Sequence, residues 1–268
     1  MIANARMYAI SPPVAAAWRT LLLWVIVRAD VACEIVDYSA PQPLSELWAR
    51  NDLGCAFMCG FPLAKATPAP TVLAAPVPSP AAYGGAPIYW TDFVVRADSP
   101  IQELIDIFGR RFAFTTEESQ SGYQAPREFF APYARLHGGT LFAATVGPLV
   151  TPRRVIEAVL EGRADAGPLD SYVHDLVRAH EPALAERLRT IAKTAPTPIP
   201  ALVAAPGIAP GDALRLRTAL LAVGRAPELA QVRTTLLLEG FVSVPVERYG
   251  ELIARAGTAD ALGYPRLA

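Results

Sequence analysis

Two short segments carry side chains suited to holding an anion. Ser119-Gln120-Ser121-Gly122-Tyr123 falls between a strand-like segment and a helix-like one, so hydroxyls and free backbone N–H groups converge at a helix N-terminus. Such an end holds a phosphate, phosphonate, sulfonate or carboxylate through its N–H donors and the positive end of the helix dipole. Gly122 allows the backbone a close approach. The same residues read equally as a serine cap followed by a turn glycine. Asp170-Ser171-Tyr172 takes the equivalent place after the strand-like Ala164 to Leu169. Asp170 is either a plain N-cap or an acceptor for a ligand amine or hydroxyl, with Tyr172 as a pocket wall. Open α/β sheets bind ligands beyond the carboxyl ends of their strands. Tyr8, closing the strand-like Ile2 to Tyr8, and Met58-Cys59-Gly60-Phe61, closing a later one, fall at such an edge. Tyr83 and Tyr89 read as core side chains or as aromatic ligand contacts.

Other chemistry finds no residue set. His137, His174 and His180 have no metal spacing with one another or with Cys, Asp or Glu. Three cysteines, Cys33, Cys55 and Cys59, form no disulfide framework and read as small buried hydrophobes. No nucleophile elbow, Walker loop or HExxH is present. Glu117 and Glu118 read as solvated. No catalytic residue, metal or cofactor is expected.

The elements that must position the two turns are legible in outline. The chain has 268 residues, 52% of them hydrophobic, enough for one large core or two lobes. Charged residues make up 18% and the net charge is −1, which gives no pull toward nucleic acid or a membrane surface. The apolar Val14 to Val27 is interrupted by Arg19 and reads as a buried helix opened by Pro13. Cys33 to Tyr38, Leu53 to Phe61, Ile88 to Arg96, Arg111 to Thr115, Leu141 to Val146 and Leu202 to Ala205 read as strands. Pro62 to Pro87 reads as a rigid, irregular connection. Ser99 caps, Pro100 opens and Gly109 ends a predicted helix, with Gln102 completing a capping box. Thr151 and Pro152 open another, and a further one starts at Ser171. The class is α/β, with mixed, mostly parallel sheets flanked by helices. Residues 1–93 and 196–268 form one discontinuous lobe, and 94–195 an inserted second. Crossings near 92–96 and 194–200 make a hinged cleft between them, where a ligand is expected.

Phe93-Val94-Val95-Arg96-Ala97-Asp98-Ser99-Pro100-Ile101, Phe112-Ala113-Phe114 and Ser119-Gln120-Ser121-Gly122-Tyr123 resemble the phosphate/phosphonate-binding (PhnD-like) solute-binding proteins of ABC importers. Val159 to Gly167 with Asp170-Ser171-Tyr172, and Leu238-Glu239-Gly240-Phe241, fit the same family in order. The resemblance implies a two-lobe type II periplasmic-binding fold and an importer permease as partner. It places the anionic head on Ser119, Gln120, Ser121 and Gly122, beside Tyr123, and the rest of the ligand on Asp170 and Tyr172. An aromatic near the end of the first strand corresponds to Tyr8. Where the family has Ser-Thr-Ser, this chain has Ser-Gln-Ser, one hydroxyl fewer.

Three functions compete on these residues. The first is binding a small anion, a phosphonate, phosphate ester or similar, without chemistry. The second is a cytosolic enzyme on the same fold, like the menaquinone-precursor enzymes or pyrimidine synthases, of whose Cys-rich motif Cys55 to Cys59 is a faint echo. The third is a ligand sensor that signals to a protein partner. No leader is visible before Ile2, so the sequence as written is cytoplasmic, whereas the resemblance implies a periplasmic protein.

Overall fold

In the computed structural model, which describes Met1–Ala268, the chain opens with β1 (Ile2–Asn4), α1 (Pro12–Ala29) and β2 (Glu34–Ile35). Prolines occupy the first turn of α1, where a missing N–H leaves no bond unmade, and Val14, Trp18, Leu21, Leu22 and Val25 form its buried face. Next come α2 (Leu44–Trp48), β3 (Leu53–Met58), α3 (Gly60–Lys65) and β4 (Thr71–Pro78). After β5 (Ile88–Tyr89) follow β6 (Thr91–Arg96), β7 (Arg111–Ala113), α4 (Ala125–Leu136), β8 (Ala144–Val146), α5 (Pro152–Leu160) and β9 (Ala166–Asp170). Then come α6 (Ser171–His180), α7 (Pro182–Ala185) and β10 (Leu188–Lys193). The chain ends through β11 (Thr197–Pro198), β12 (Ala201–Ala204), α8 (Pro210–Ala222), α9 (Ala230–Thr235), β13 (Leu238–Val242) and α10 (Glu247–Ala261).

These elements form two compact units, Met1–Ile88 with Pro198–Tyr249, and Tyr89–Thr197 with Gly250–Ala268. The first holds a six-stranded sheet in the order β13-β4-β12-β3-β1-β2. Its β1, β2 and β3 are parallel, while β12 runs antiparallel to both β3 and β4. The second holds a five-stranded sheet in the order β10-β6-β9-β7-β8, with β6 alone running against the others. In each sheet most strands point one way, with helices flanking them. β5 and β11 form a small two-stranded sheet. The first unit's core includes Tyr8, Trp18 and Phe57, with both other rings edge-on to Phe57. The second's centres on Phe93, Phe112, Phe130 and Phe142, with Phe112 stacked on Phe142 at 4.6 Å.

Four expectations are corrected. The predicted helix from Ser99 to Phe108 is a loop with one 3-10 turn at Leu104–Ile107. The Ser99 carbonyl, which a helix would need, accepts instead from Arg189 Nη2 at 2.9 Å, and Arg189 also binds the Ala97 and Ile101 carbonyls. The Gln102 and Glu103 N–H groups go to Asp106 Oδ2. A non-local cation and a carboxylate thus outcompete the helical ladder. Second, Pro62 to Pro87 contains the buried strand β4. Its first half pairs with β12, and Pro76 and Pro78 fall in the half paired to β13, beside a bulge that relieves the missing N–H donors.

Third, the first unit ends at Ile88, so Tyr89 to Phe93 belong to the second unit and not to residues 1–93 as one lobe. Gly250–Ala268 also packs with the second unit, against the expectation of 196–268 as one piece. Buried Arg127 draws this tail in, donating to Asp260 and to the Ala256 and Tyr264 carbonyls. Fourth, β1 stops at Asn4, whose Oδ1 accepts the Arg6 N–H and starts a 3-10 turn, Arg6–Tyr8. Tyr8 thus lies on a turn and not on the strand.

Candidate functional site

The serine-rich turn is built from its own side chains. Ser119 Oγ accepts the Gly122 N–H at 3.0 Å, and the Ser119 carbonyl accepts the Gln124 N–H. Gln124 Nε2 donates to the Glu117 carbonyl at 2.6 Å, pinning the approach loop. Gln120–Gln124 form a π turn that runs directly into α4, so one continuous helical segment starts at the turn. The first N–H groups of such a segment have no intrahelical acceptor and point at whatever lies before it. Ser119 and Ser121 are half-buried, while Gln120 and Gly122 are buried. A β-carbon on Gly122 would lie 1.9 Å from Thr115 Oγ1 and 2.9 Å from Ser119 Oγ, so no larger residue fits this turn as folded.

The acidic turn has the same logic. Asp170 Oδ1 accepts the Tyr172 and Val173 N–H groups at 2.9 and 3.1 Å, capping α6. Ser171 is locked to Trp90: its N–H donates to the Trp90 carbonyl and its Oγ accepts the Trp90 N–H.

Thr91 joins the two turns. It lies opposite Asp170 in the β6–β9 ladder, and its Oγ1 donates to the Ser121 carbonyl at 2.9 Å. Its N–H donates to Thr194 Oγ1. One residue at one sheet edge therefore touches both segments that the sequence singles out.

The aromatic residues lie deeper. Tyr123 is buried edge-on to Phe114, and its hydroxyl accepts the Leu267 N–H at 3.3 Å. Tyr172 is fully buried, and burial, helped by the Asp170 charge, pushes its phenol far above the usual range, so it stays neutral. Tyr8 is buried in the first unit against Phe57. Cys59 lies just past β3, at the N-cap of α3. No group of three His, Cys, Asp or Glu side chains is placed to hold a metal ion. No helix is long and apolar enough to cross a membrane.

Sequence reasoning missed a buried, hydrogen-bonded carboxylate–histidine pair beside this edge. Asp92 and His174, 1% and 2% exposed, meet at 2.7 Å between Oδ2 and Nδ1. The other carboxylate oxygen accepts from Trp90 Nε1 at 3.0 Å. Arg178 and Lys193 stand 3.7 and 3.9 Å away. Burial alone would raise the Asp92 carboxyl. The His174 hydrogen bond and charge, with Lys193 and Arg178, outweigh it and hold the carboxyl below its ordinary range. The signal available in the sequence was an acid inside the aromatic, β-branched strand Tyr89 to Arg96, because a buried acid demands a partner.

Comparison with known proteins agrees with the architecture. No curated protein sequence matches the chain. Among solved structures, the binding-protein component of an ABC phosphonate transporter from Pseudomonas aeruginosa shares 17% identity at a TM-score of 0.79, over 98% of this chain and 87% of its own. PhnD1 from Prochlorococcus marinus, solved with methylphosphonate, shares 16% at 0.78, over 97% and 98%. XAC2383 from Xanthomonas citri, solved with ATP, shares 20% at 0.63, over 98% of each chain. These likenesses show a type II periplasmic-binding fold. The family model described as "ABC transporter, phosphonate, periplasmic substrate-binding protein" matches residues 11–249, and to that family the chain belongs.

Proposed function

We propose that this chain binds a small anionic solute, a phosphonate, phosphate ester or similar, and hands it unchanged to an ABC importer permease. The anionic head sits at the Ser119–Gly122 turn, held by N–H groups and the Ser119 and Ser121 hydroxyls. Asp170 and the Tyr172 end of α6 face the remainder of the ligand. The observation that carries this reading is Thr91, which bonds Ser121 and pairs with Asp170, so that both turns share one edge of the five-stranded sheet. Family membership supports it, as does the Prochlorococcus relative solved with methylphosphonate.

The test is a thermal-shift screen of the full chain against methylphosphonate, inorganic phosphate, phosphate esters, sulfonates and carboxylates. A ligand at about a thousand times its dissociation constant adds about 4 kcal/mol of stability. A shift from phosphorus oxyanions, with the ligand recovered unchanged, is the expected result. No shift from any anion, or conversion of the ligand to a product, overturns the reading.

A further inference from the structure

Asp92 and His174 take no part in the proposed anion contacts, yet they form a fully buried hydrogen-bonded pair beside them. His174 is close in the chain to the acidic turn, and Asp92 is the chain neighbour of a residue that contacts both turns. Asp92 follows Thr91, which bonds the Ser121 carbonyl and lies opposite Asp170. His174 lies one helical turn beyond Asp170 on α6, whose first N–H groups Asp170 caps. The 2.7 Å bond between them therefore fastens β6 to α6 just behind both turns. A carboxylate only accepts, so Nδ1 of His174 carries the proton in this bond. The second Asp92 oxygen holds the Trp90 indole, and the Trp90 backbone holds Ser171 at both its N–H and its hydroxyl. One carboxylate thus anchors the acidic turn by two routes and the serine turn through its neighbour Thr91. The charged groups facing the pair are Arg178, itself bonded to Asp175 at 2.8 Å, and Lys193, which lies over the Trp90 ring.

We infer that Asp92 and His174 are positioning residues that set the spacing of the Ser119–Gly122 and Asp170–Tyr172 turns, and through it the affinity for the anion. The link to affinity rests on the function proposed above, whereas the link to the turns does not. A merely structural pair would lower the melting temperature and leave the turns and the affinity of the folded protein alone.

The experiment compares wild type, His174→Leu and His174→Gln as full chains, by amide hydrogen exchange and by calorimetric titration with methylphosphonate. Leucine cannot donate to Asp92, and glutamine offers an N–H in its place. Expected are faster exchange in His174→Leu at both turns, around residues 119–123 and at Tyr172 and Val173, and binding weaker by about tenfold. His174→Gln restores both. Should His174→Leu fail to fold, Asp92→Asn, which is isosteric but uncharged, is expected to loosen the same two turns. Unchanged exchange at residues 119–123 overturns the inference, as does loosening confined to α6. If wild type does not bind methylphosphonate, the exchange data alone decide the positioning role, and the anion-binding proposal fails separately.

Discussion

Thr91 Oγ1 donates to the Ser121 carbonyl at 2.9 Å across 30 residues of chain. The bond joins the first residue of β6 to the turn that opens α4, while the same threonine pairs with Asp170. Replacing Thr91 with Val keeps the β-branched shape and removes the donor. Weaker methylphosphonate binding, by several-fold to about tenfold for one lost hydrogen bond, is expected in calorimetry, with β6 intact.

Ser121 provides the sharpest test of the anion site. Glutamate there places a negative charge at the start of a helical segment, where the proposed ligand brings its own. Like charges in contact cost several kcal/mol, so affinity is expected to fall about a hundredfold or more. An unaltered titration curve for Ser121→Glu would remove this turn from the site.

Gly122 is sterically fixed. A methyl group added there meets Thr115 Oγ1 at 1.9 Å and Thr115 Cβ at 2.9 Å. Overpacking of this kind costs about 1–3 kcal/mol, read as a lower melting temperature for Gly122→Ala. Adding Thr115→Ala removes the nearest clash and is expected to recover part of the loss. If the double variant is no more stable than Gly122→Ala, the clash is not with Thr115.

Asp170 has two separable tasks. Its Oδ1 caps α6, so Asp170→Ala is expected to cost about 1 kcal/mol in denaturant unfolding. Asp170→Asn keeps an acceptor oxygen at that place and should retain most of the stability. Its effect falls on which ligands bind more than on whether an anion binds. Equal loss for every ligand in the panel would make Asp170 structural.

Acid stability depends on Asp92. Its carboxyl is held below the ordinary value in the folded chain, so the unfolded chain takes up its proton first. The stabilisation is therefore fully present above an ordinary carboxyl pKa of about 3.9, and is lost as pH falls through the lower, folded value. Denaturation from pH 7 down to pH 2 should show wild type and Asp92→Asn converging only below about pH 4. Convergence at higher pH would mean that the carboxylate is not held low.

Local signals were legible where nothing distant competed. Thr151 accepts the Arg154 N–H as a cap, Pro152 opens α5, and Asp170 caps α6. Pro13 and the apolar Val14 to Val27 placed α1, Pro12–Ala29, to within one residue at its start and two at its end. The predicted helix after Ser99 had a strong local pattern and lost to Arg189, which is distant in sequence. β4 was hidden because prolines in a strand look like a break unless a bulge is known to sit beside them. The serine and acidic turns were found as segments, but Thr91, which unites them, and His174, which backs them, are contacts across 30 and 82 residues that periodicity does not carry.

The tail formed by Gly250–Ala268 has a consequence for biosynthesis. Ala259, Tyr264 and Leu267 are part of the aromatic core around Phe112 and Phe130. A ribosome that has released residues 1–197 has delivered every strand of the five-stranded sheet, but not the segment that covers that core. The six-stranded sheet waits as well, since β12 must enter between β3 and β4 and β13 must add beyond β4. Neither unit can close in vectorial order, so the nascent chain keeps apolar surface uncovered, and exposed to aggregation and chaperones, until β12 and β13 have emerged for the first unit and Gly250–Ala268 for the second.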